Sequence, residues 1–274
     1  YFSFKLYICS MIKSNILFLL GFTAIVASSC SEYQKVLKST DLDFKYEQAV
    51  KLFDDEEYIK AFPLFDELLL LYRGTDKAET VYYYYCKTEY EKGNLLSAAY
   101  HFKNFSTTYK DNSKAEECAY LAVNCHFLLS PKYSLDQTNT YKALDEVKIF
   151  FDKYPNSTYI SACNNLKTKL SEKLEKKSFE NAKLYYTTEN YKAAIHAFNL
   201  ALQQHQNSVF KEEILFLQLK SYFLLAQNSV EEKKDKRIKD TVIAFNQFKN
   251  AYPKSEYTQE SKRVFKQVKL LRKK

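Results

Sequence analysis

Cys30 is the residue best placed for covalent chemistry. It follows Ala27-Ser28-Ser29, small residues at the end of an apolar run from Ile16 to Ala27. Lys13 stands ahead of that run, and Met11 reads as the start, which makes 1–10 upstream read-through. A positive residue, a short apolar core and small residues before a cut are the parts of a secretory signal, so 11–29 is expected to be removed. The run is too short to span a bilayer, which takes about 20 apolar residues. A lone thiol left at a mature N-terminus is exposed to oxidation, which favours its modification.

The other candidates for chemistry are sparse. Cys86, Cys118, Cys125 and Cys163 form no CxxC pair. On one helix Cys118 and Cys125 stand about 10.5 Å apart, beyond the roughly 7 Å reach of a disulfide. Small buried core residues is the expected role of the four, with an interhelix disulfide as the alternative in an oxidising compartment. His101, His126, His196 and His205 are scattered, with no HExxH or Cys/His cluster, so no metal site is expected. With 3 Gly in the whole chain, a phosphate-cradling loop has no material. Asp54-Asp55-Glu56-Glu57 lacks the alternation and Gly of a calcium loop and reads as a solvated turn. No nucleophile-elbow motif is present. The expectation is a protein that is not an enzyme and has no cofactor.

The elements that position these residues are helical. The chain has 274 residues with 3 Gly, 4 Pro, 24 Tyr and 21 Phe; a turn-rich β fold needs more Gly and Pro. An aromatic or apolar residue, Ala three later and a large residue four after that recur as Tyr58/Ala61/Phe65, Leu95/Ala98/Phe102 and Tyr191/Ala194/Phe198. Thr140/Ala143/Val147 and Ile238/Thr241/Phe245 are weaker copies. Residues three and four apart share a helix face; the small one admits a partner helix and the ring fills the groove beside it. This is the pattern of tetratricopeptide helical pairs. The intervals between copies, 37, 45, 51 and 47 residues, exceed the strict period of about 34.

A second marker closes these helices. Tyr154-Pro155-Asn156-Ser157 recurs as Tyr252-Pro253-Lys254-Ser255, with looser forms at Tyr72 and Tyr109. Pro stops the helix and Ser or Thr caps the next; Ser113 with Glu116 reads as a capping box. The resulting expectation is an all-α, tetratricopeptide-type helical-pair superhelix of about five repeats plus a C-terminal helix, over 41–274, with 30–40 as a lipidated linker. Helices are placed at 41–56, 59–73, 76–92, 95–109, 113–128, 137–153, 157–187, 190–205, 209–227, 236–251 and 256–271. Ser130 to Gln137 and Asn228 to Lys236 are read as loops. Pro63 is expected near its helix start, where N–H groups lack partners.

Charge excludes little and suggests little. The net charge is +8; residues 1–29 carry only Lys5 and Lys13, leaving +6 from Cys30 onward. Acids and bases interleave as on solvated faces, and no nucleic-acid motif is present. Lys262 to Lys274 is more basic: a solvated final helix is one reading, and contact with an acidic partner or anionic headgroups is the other. For a binding groove the sequence nominates Tyr82, Tyr83, Tyr84, Tyr85, Tyr90 and Tyr120. Four consecutive tyrosines span a full helical turn, so they cannot share one face; Tyr82 and Tyr85 are expected in the core and Tyr83 at a groove or surface.

Small residues directly before Cys30 resemble the bacterial lipobox, although Ala27 stands where that box usually has Leu. The resemblance implies cleavage between Ser29 and Cys30, diacylglycerol on the thiol and acylation of the new amine. Ordinary signal cleavage near Ala27–Ser29, leaving a free thiol, is the alternative. Ser31 and the absence of an acidic run after it resemble the sorting pattern of lipoproteins on the periplasmic side of the outer membrane.

The assembled pattern resembles the BamD-type tetratricopeptide lipoproteins of the outer-membrane β-barrel assembly machine, in a form like that of Bacteroidota. The stretches that carry it are Cys30–Leu37, Lys60–Phe65, Leu129–Thr138, the Tyr154–Ser157 junction, and Ala182–Tyr186 leading into Tyr191–Ile195. They cover nearly the whole mature chain. The resemblance implies an outer-membrane role without a reaction: binding of the Omp85-type barrel assembly subunit (BamA-like) through C-terminal repeats, and receipt of unfolded outer-membrane proteins by N-terminal repeats. The other reading is a tetratricopeptide lipoprotein that organises cell-wall or envelope-spanning machinery.

Overall fold

A computed structural model describes residues 32–272. The Met11 start, the signal segment and the Ser29–Cys30 cut lie outside the described residues. All regular structure among the described residues is α-helical. A short helix α1 covers 32–38. It is followed by α2 (Leu42–Asp54), α3 (Tyr58–Leu71), α4 (Ala78–Glu91), α5 (Leu95–Thr108), α6 (Ala115–Leu129), α7 (Thr138–Lys153), α8 (Ile160–Thr187), α9 (Tyr191–Gln204), α10 (Lys211–Gln227), α11 (Glu231–Ala251) and α12 (Thr258–Leu271). The described residues divide into two compact units, one up to Cys125 and one from His126. In each, sequential helices pack as antiparallel neighbours: α2 to α5 in the first, α7 to α12 in the second.

The five sequence copies are structurally equivalent. Ala61, Ala98, Ala143, Ala194 and Thr241 are all fully buried. Thr241 substitutes for alanine because its hydroxyl donates to the Arg237 carbonyl at 2.8 Å, so no polar atom is stranded. Four residues on, Phe65, Phe102, Val147, Phe198 and Phe245 are buried, and three further on so are Leu68, Phe105, Phe150, Ala201 and Phe248. Fully burying each of the larger side chains contributes about 1.5–3 kcal/mol.

Each copy also ends in the same backbone turn. The residue eleven after the small one is Tyr72, Tyr109, Tyr154, His205 or Tyr252. Its carbonyl accepts the N–H of the residue three later, and that residue's carbonyl accepts the N–H three later again, which opens the next helix: Thr75 and Ala78, Asn112 and Ala115, Ser157 and Ile160, Ser208 and Lys211, Ser255 and Thr258. The Oγ of Ser157, Ser208 and Ser255 each accepts the N–H two residues on at 3.0 Å. The His205–Ser208 junction has no tyrosine or proline, so the spelling of the others does not reveal it. At the Tyr109 junction the cap is Asn112, whose Oδ1 accepts the Lys114 N–H at 2.7 Å. That replaces the expected Ser113–Glu116 capping box, because α6 starts at Ala115 and the box is one register off.

Within three pairs the helices turn through left-handed residues, at Glu56 (φ 60), Gly93 (φ 80) and Glu189 (φ 61). The following N–H groups reach back five residues: Glu57 to the Leu52 carbonyl at 2.8 Å, Asn94 to Glu89 at 3.0 Å and Asn190 to Tyr185 at 2.9 Å. This closure satisfies carbonyls that a helix end otherwise leaves open. The acidic run 54–57 is therefore a helix stop.

Three expectations change. The segment taken as a linker is helical over 32–38 and docked: Val36 is buried, and the Tyr33 hydroxyl donates to the Lys60 carbonyl at 2.8 Å. The loop 228–236 shrinks to 228–230, because Glu231 and Glu232 favour the positive start of α11 and Lys234 pairs with Glu231 at 2.7 Å. Pro63 lies in the second turn of α3, past the unpartnered N–H groups. Its missing N–H leaves the Ile59 carbonyl unclaimed, and Ile59 is 82% exposed, so water is at hand.

The expected loop at Ser130–Gln137 is a pinned structure. Buried Gln137 donates to the carbonyls of Lys132 (2.8 Å) and Leu135 (2.9 Å). From α8, Lys173 donates to Ser130 Oγ at 2.6 Å and Lys177 to the Leu135 carbonyl at 2.7 Å.

Candidate binding surfaces

Helix α4 presents its four tyrosines in different directions, and each is used by the fold. Tyr82 and Tyr85 are buried. The Tyr82 hydroxyl accepts from Asn104 Nδ2 at 3.0 Å and meets His101 Nδ1 at 3.1 Å. His101 sits edge-on to Tyr85, ring centroids 4.9 Å apart. Tyr84 faces the other way, stacked on Phe65 at 5.4 Å and edge-on to Phe53 at 5.3 Å. The Tyr83 hydroxyl donates to Glu117 of α6 at 2.8 Å. Two turns later, Tyr90 accepts from Asn124 at 2.9 Å. Tyr120 is half-buried on α6. The five nominated tyrosines of α4 thus knit it to its neighbours, and the half-exposed ones of the six are Tyr83, Tyr84, Tyr90 and Tyr120.

Burial sets the protonation of this unit. It holds the His101 imidazole below the ordinary histidine range, with Glu89 and Asp66 pulling the other way. It pushes the Tyr85 phenol up to about 12. Burial raises Glu117, but hydrogen bonds from Tyr83 and Lys114 outweigh it and leave the carboxyl lower than usual. The thiols of Cys118 and Cys125 are pushed up to about 12 by burial, and Cys163 to about 11. Cys86, Cys118, Cys125 and Cys163 are free and buried; protonated thiols in apolar surroundings are inert. Among the described residues no group of three or more His, Cys, Asp or Glu could hold a metal ion.

Several clefts open among the described residues, including one in each unit with an aliphatic wall. The first, about 690 Å³, lies at the pair-closing turns of the N-terminal unit, between Glu56–Lys60 and Glu91–Lys92. Ile59 and Tyr58 give it an apolar wall, and Lys92 Nζ lies 3.1 Å from the Phe62 ring centroid beside it. The second, about 670 Å³, lies between α11 and α12. Neither was visible in the sequence, because each joins residues of adjacent helices that are far apart along the chain. Among the described residues no helix is long and apolar enough to cross a membrane.

A family model, YfiO, described as outer membrane lipoprotein, matches residues 39–237. The chain is similar to the outer membrane protein assembly factor BamD of Rickettsia prowazekii (strain Madrid E), 23% identical over 228 residues, covering 81% of this chain and 84% of that protein. It is also similar to the factor of the same name from Caulobacter vibrioides, 25% identical over 124 residues, covering 45% of this chain and 41% of that protein. Among solved structures, the TPR2AB-domain:pHSP90-complex of yeast Sti1 aligns with a TM-score of 0.37 at 12% identity, over 83% of this chain and 98% of that one.

Proposed function

The chain belongs to the YfiO family of outer membrane lipoproteins, and on that premise we propose that it is an assembly factor that binds the Omp85-type barrel subunit and unfolded outer-membrane proteins. The observation that carries this reading is the family match across 39–237, spanning parts of both compact units. Relatives named as outer membrane protein assembly factors support it. The role is that of an adaptor: stacked helical pairs offer long surfaces to extended or folded partners, and the buried thiols and neutral His101 serve packing. In this reading the chain is held on the periplasmic side of the outer membrane by acyl chains on Cys30, each buried CH₂ adding about 0.8 kcal/mol of membrane affinity.

Affinity purification of the full chain from membranes tests it. An Omp85-type barrel protein among the partners is expected, and its absence overturns the reading. Depletion is the second arm: folded porin-like proteins are expected to fall, and unchanged levels count against an assembly role.

A further inference from the structure

We propose that the outer side of α12 is a docking surface for an anionic bilayer. The helix buries Ser261, Val264 and Val268, which pack it on α10 and α11. The rest of its surface is dominated by cations: Lys262, Arg263, Lys266, Lys269 and Arg272 are exposed. Four of them, Lys262, Arg263, Lys266 and Lys269, fall together with Leu270 within about a third of the helix circumference at 3.6 residues per turn. Glu260 is the acid of this helix, and it is already bonded to Lys220 of α10 at 2.8 Å.

The cations of α12 are dense, with five exposed ones within 262–272. Elsewhere in the C-terminal unit Lys183 pairs with Glu213 and Lys234 with Glu231. Lys262, Arg263, Lys266 and Arg272 have no ion-pair partner among the described residues, and Lys269 lies over the Phe265 ring at 4.7 Å. Like charges at helical spacing repel and destabilise the helix that bears them, unless an anion lies across them. An apolar group sits inside this cationic arc: Leu270 is 63% exposed.

A cleft between α11 and α12 adjoins one edge of this arc at Lys269. Ile238, Val242, Phe265 and Val268 line it, with Lys239, Lys269 and Arg272 among its polar residues and Asp235 as its acid. Ile243, also in its lining, is 55% exposed. Cations flanking exposed aliphatic groups are what an interfacial helix presents to headgroups and the acyl boundary. A bilayer supplies phosphates along the whole helix without a fixed register, which suits five cations spread over its length. An acidic protein would need carboxylates set at matching positions and leaves Leu270 without a role. Vesicle binding by the purified chain is read with no barrel subunit present, so it can fail while the assembly role stands.

The test is flotation of the mature chain carrying Cys30→Ser, so that no acyl chain contributes. The vesicles are phosphatidylcholine with and without phosphatidylglycerol. Binding is expected with phosphatidylglycerol and not without it, and is expected to vanish at high salt. Lys266→Glu with Lys269→Glu should weaken binding at least about tenfold, since each basic residue near such a surface contributes roughly fivefold. Leu270→Ser should weaken it while leaving the salt dependence unchanged. All three side chains are exposed, and circular dichroism checks that the helices persist. Equal flotation with neutral vesicles overturns the proposal, as does a charge-reversed chain that floats like the original. Loss of a co-purifying protein in that variant, with vesicle binding intact, assigns the surface to a protein partner and overturns it as well.

Discussion

Lys45 and Glu67 form an ion pair at 2.8 Å in which the lysine side chain is 2% exposed and the carboxylate 45%. The ammonium also donates to the Leu37 carbonyl at 3.2 Å. One buried cation therefore ties α1, α2 and α3 together. It is among the largest fully buried side chains in the protein, in a position where a charge is tolerated only with partners on every side.

Glu67→Ala is expected to destabilise the N-terminal unit by about 1–3 kcal/mol, the range for losing hydrogen bonds to a charged group. Lys45→Met should cost less than the loss of the glutamate, because an apolar chain of similar length leaves no stranded charge. Urea unfolding of the two single variants and the double variant measures the coupling. Additive effects would show that the pair is incidental.

The left-handed turns give a prediction with opposite signs at equivalent places. Gly93→Ala should cost about 1 kcal/mol or slightly more, the penalty of placing a Cβ in that conformation. No atom lies within 4 Å of the added Cβ, so the cost is conformational and not steric. Glu56→Gly and Glu189→Gly should each stabilise by up to about 1 kcal/mol, since glycine is the favoured residue there. Thermal midpoints of the three variants decide it; a loss of stability at both glutamate sites would refute the shared geometry.

His101 predicts a pH dependence. Burial depresses its affinity for a proton in the folded chain, so the unfolded chain is protonated first, near pH 6.5. Stability is then fully present above that pH and declines as the pH falls through it. The imidazole faces Tyr82, Tyr85 and Tyr100, with Glu89 and Asp66 favouring its charged form more weakly. Denaturation of the chain and of His101→Gln at about pH 7.5 and about pH 5.5 isolates this contribution. The variant should lose less stability on acidification, and the His101 ring resonance should titrate below the usual range. Equal losses would sink the account.

Cys30→Ser is expected to abolish acylation. The variant should lack the mass of the acyl chains and move from the detergent phase to the aqueous phase on partitioning. Unchanged mass and unchanged partition would refute the anchor at this residue.

Much of the architecture is legible in the sequence because it rests on short-range periodicity. A small residue, a ring four later and a stop eleven later are local facts, and they placed even the weak copy at Ile238/Thr241/Phe245 correctly. The misses have equally local causes. The segment Glu231–Lys236 looked like a solvated loop because it is all charge, yet most of its residues are good helix formers with an ion pair at the right spacing. Helix periodicity places the break between 205 and 209, but its kinship with the other junctions is not spelled in tyrosine and proline, because backbone bonds define it. Lys45 was invisible as a core residue, since its burial depends on Glu67 and on the helix 32–38. The clefts follow the same rule: nothing near Ile59 or Ile243 in the chain says that a neighbouring helix will leave it uncovered.

The constant distance from the small residue to the junction bears on how such a chain diverges. Each junction is closed by main-chain bonds that any residue except proline can supply at the donor positions. The side chains under constraint are few: a small one, a ring or aliphatic group, and a polar cap that serine, threonine or asparagine fills equally. Everything between is free to drift, and extra length can accumulate outside that interval without disturbing the stack. Descendants of one ancestor can then lose most of their shared residues while their helices still superpose, repeat by repeat.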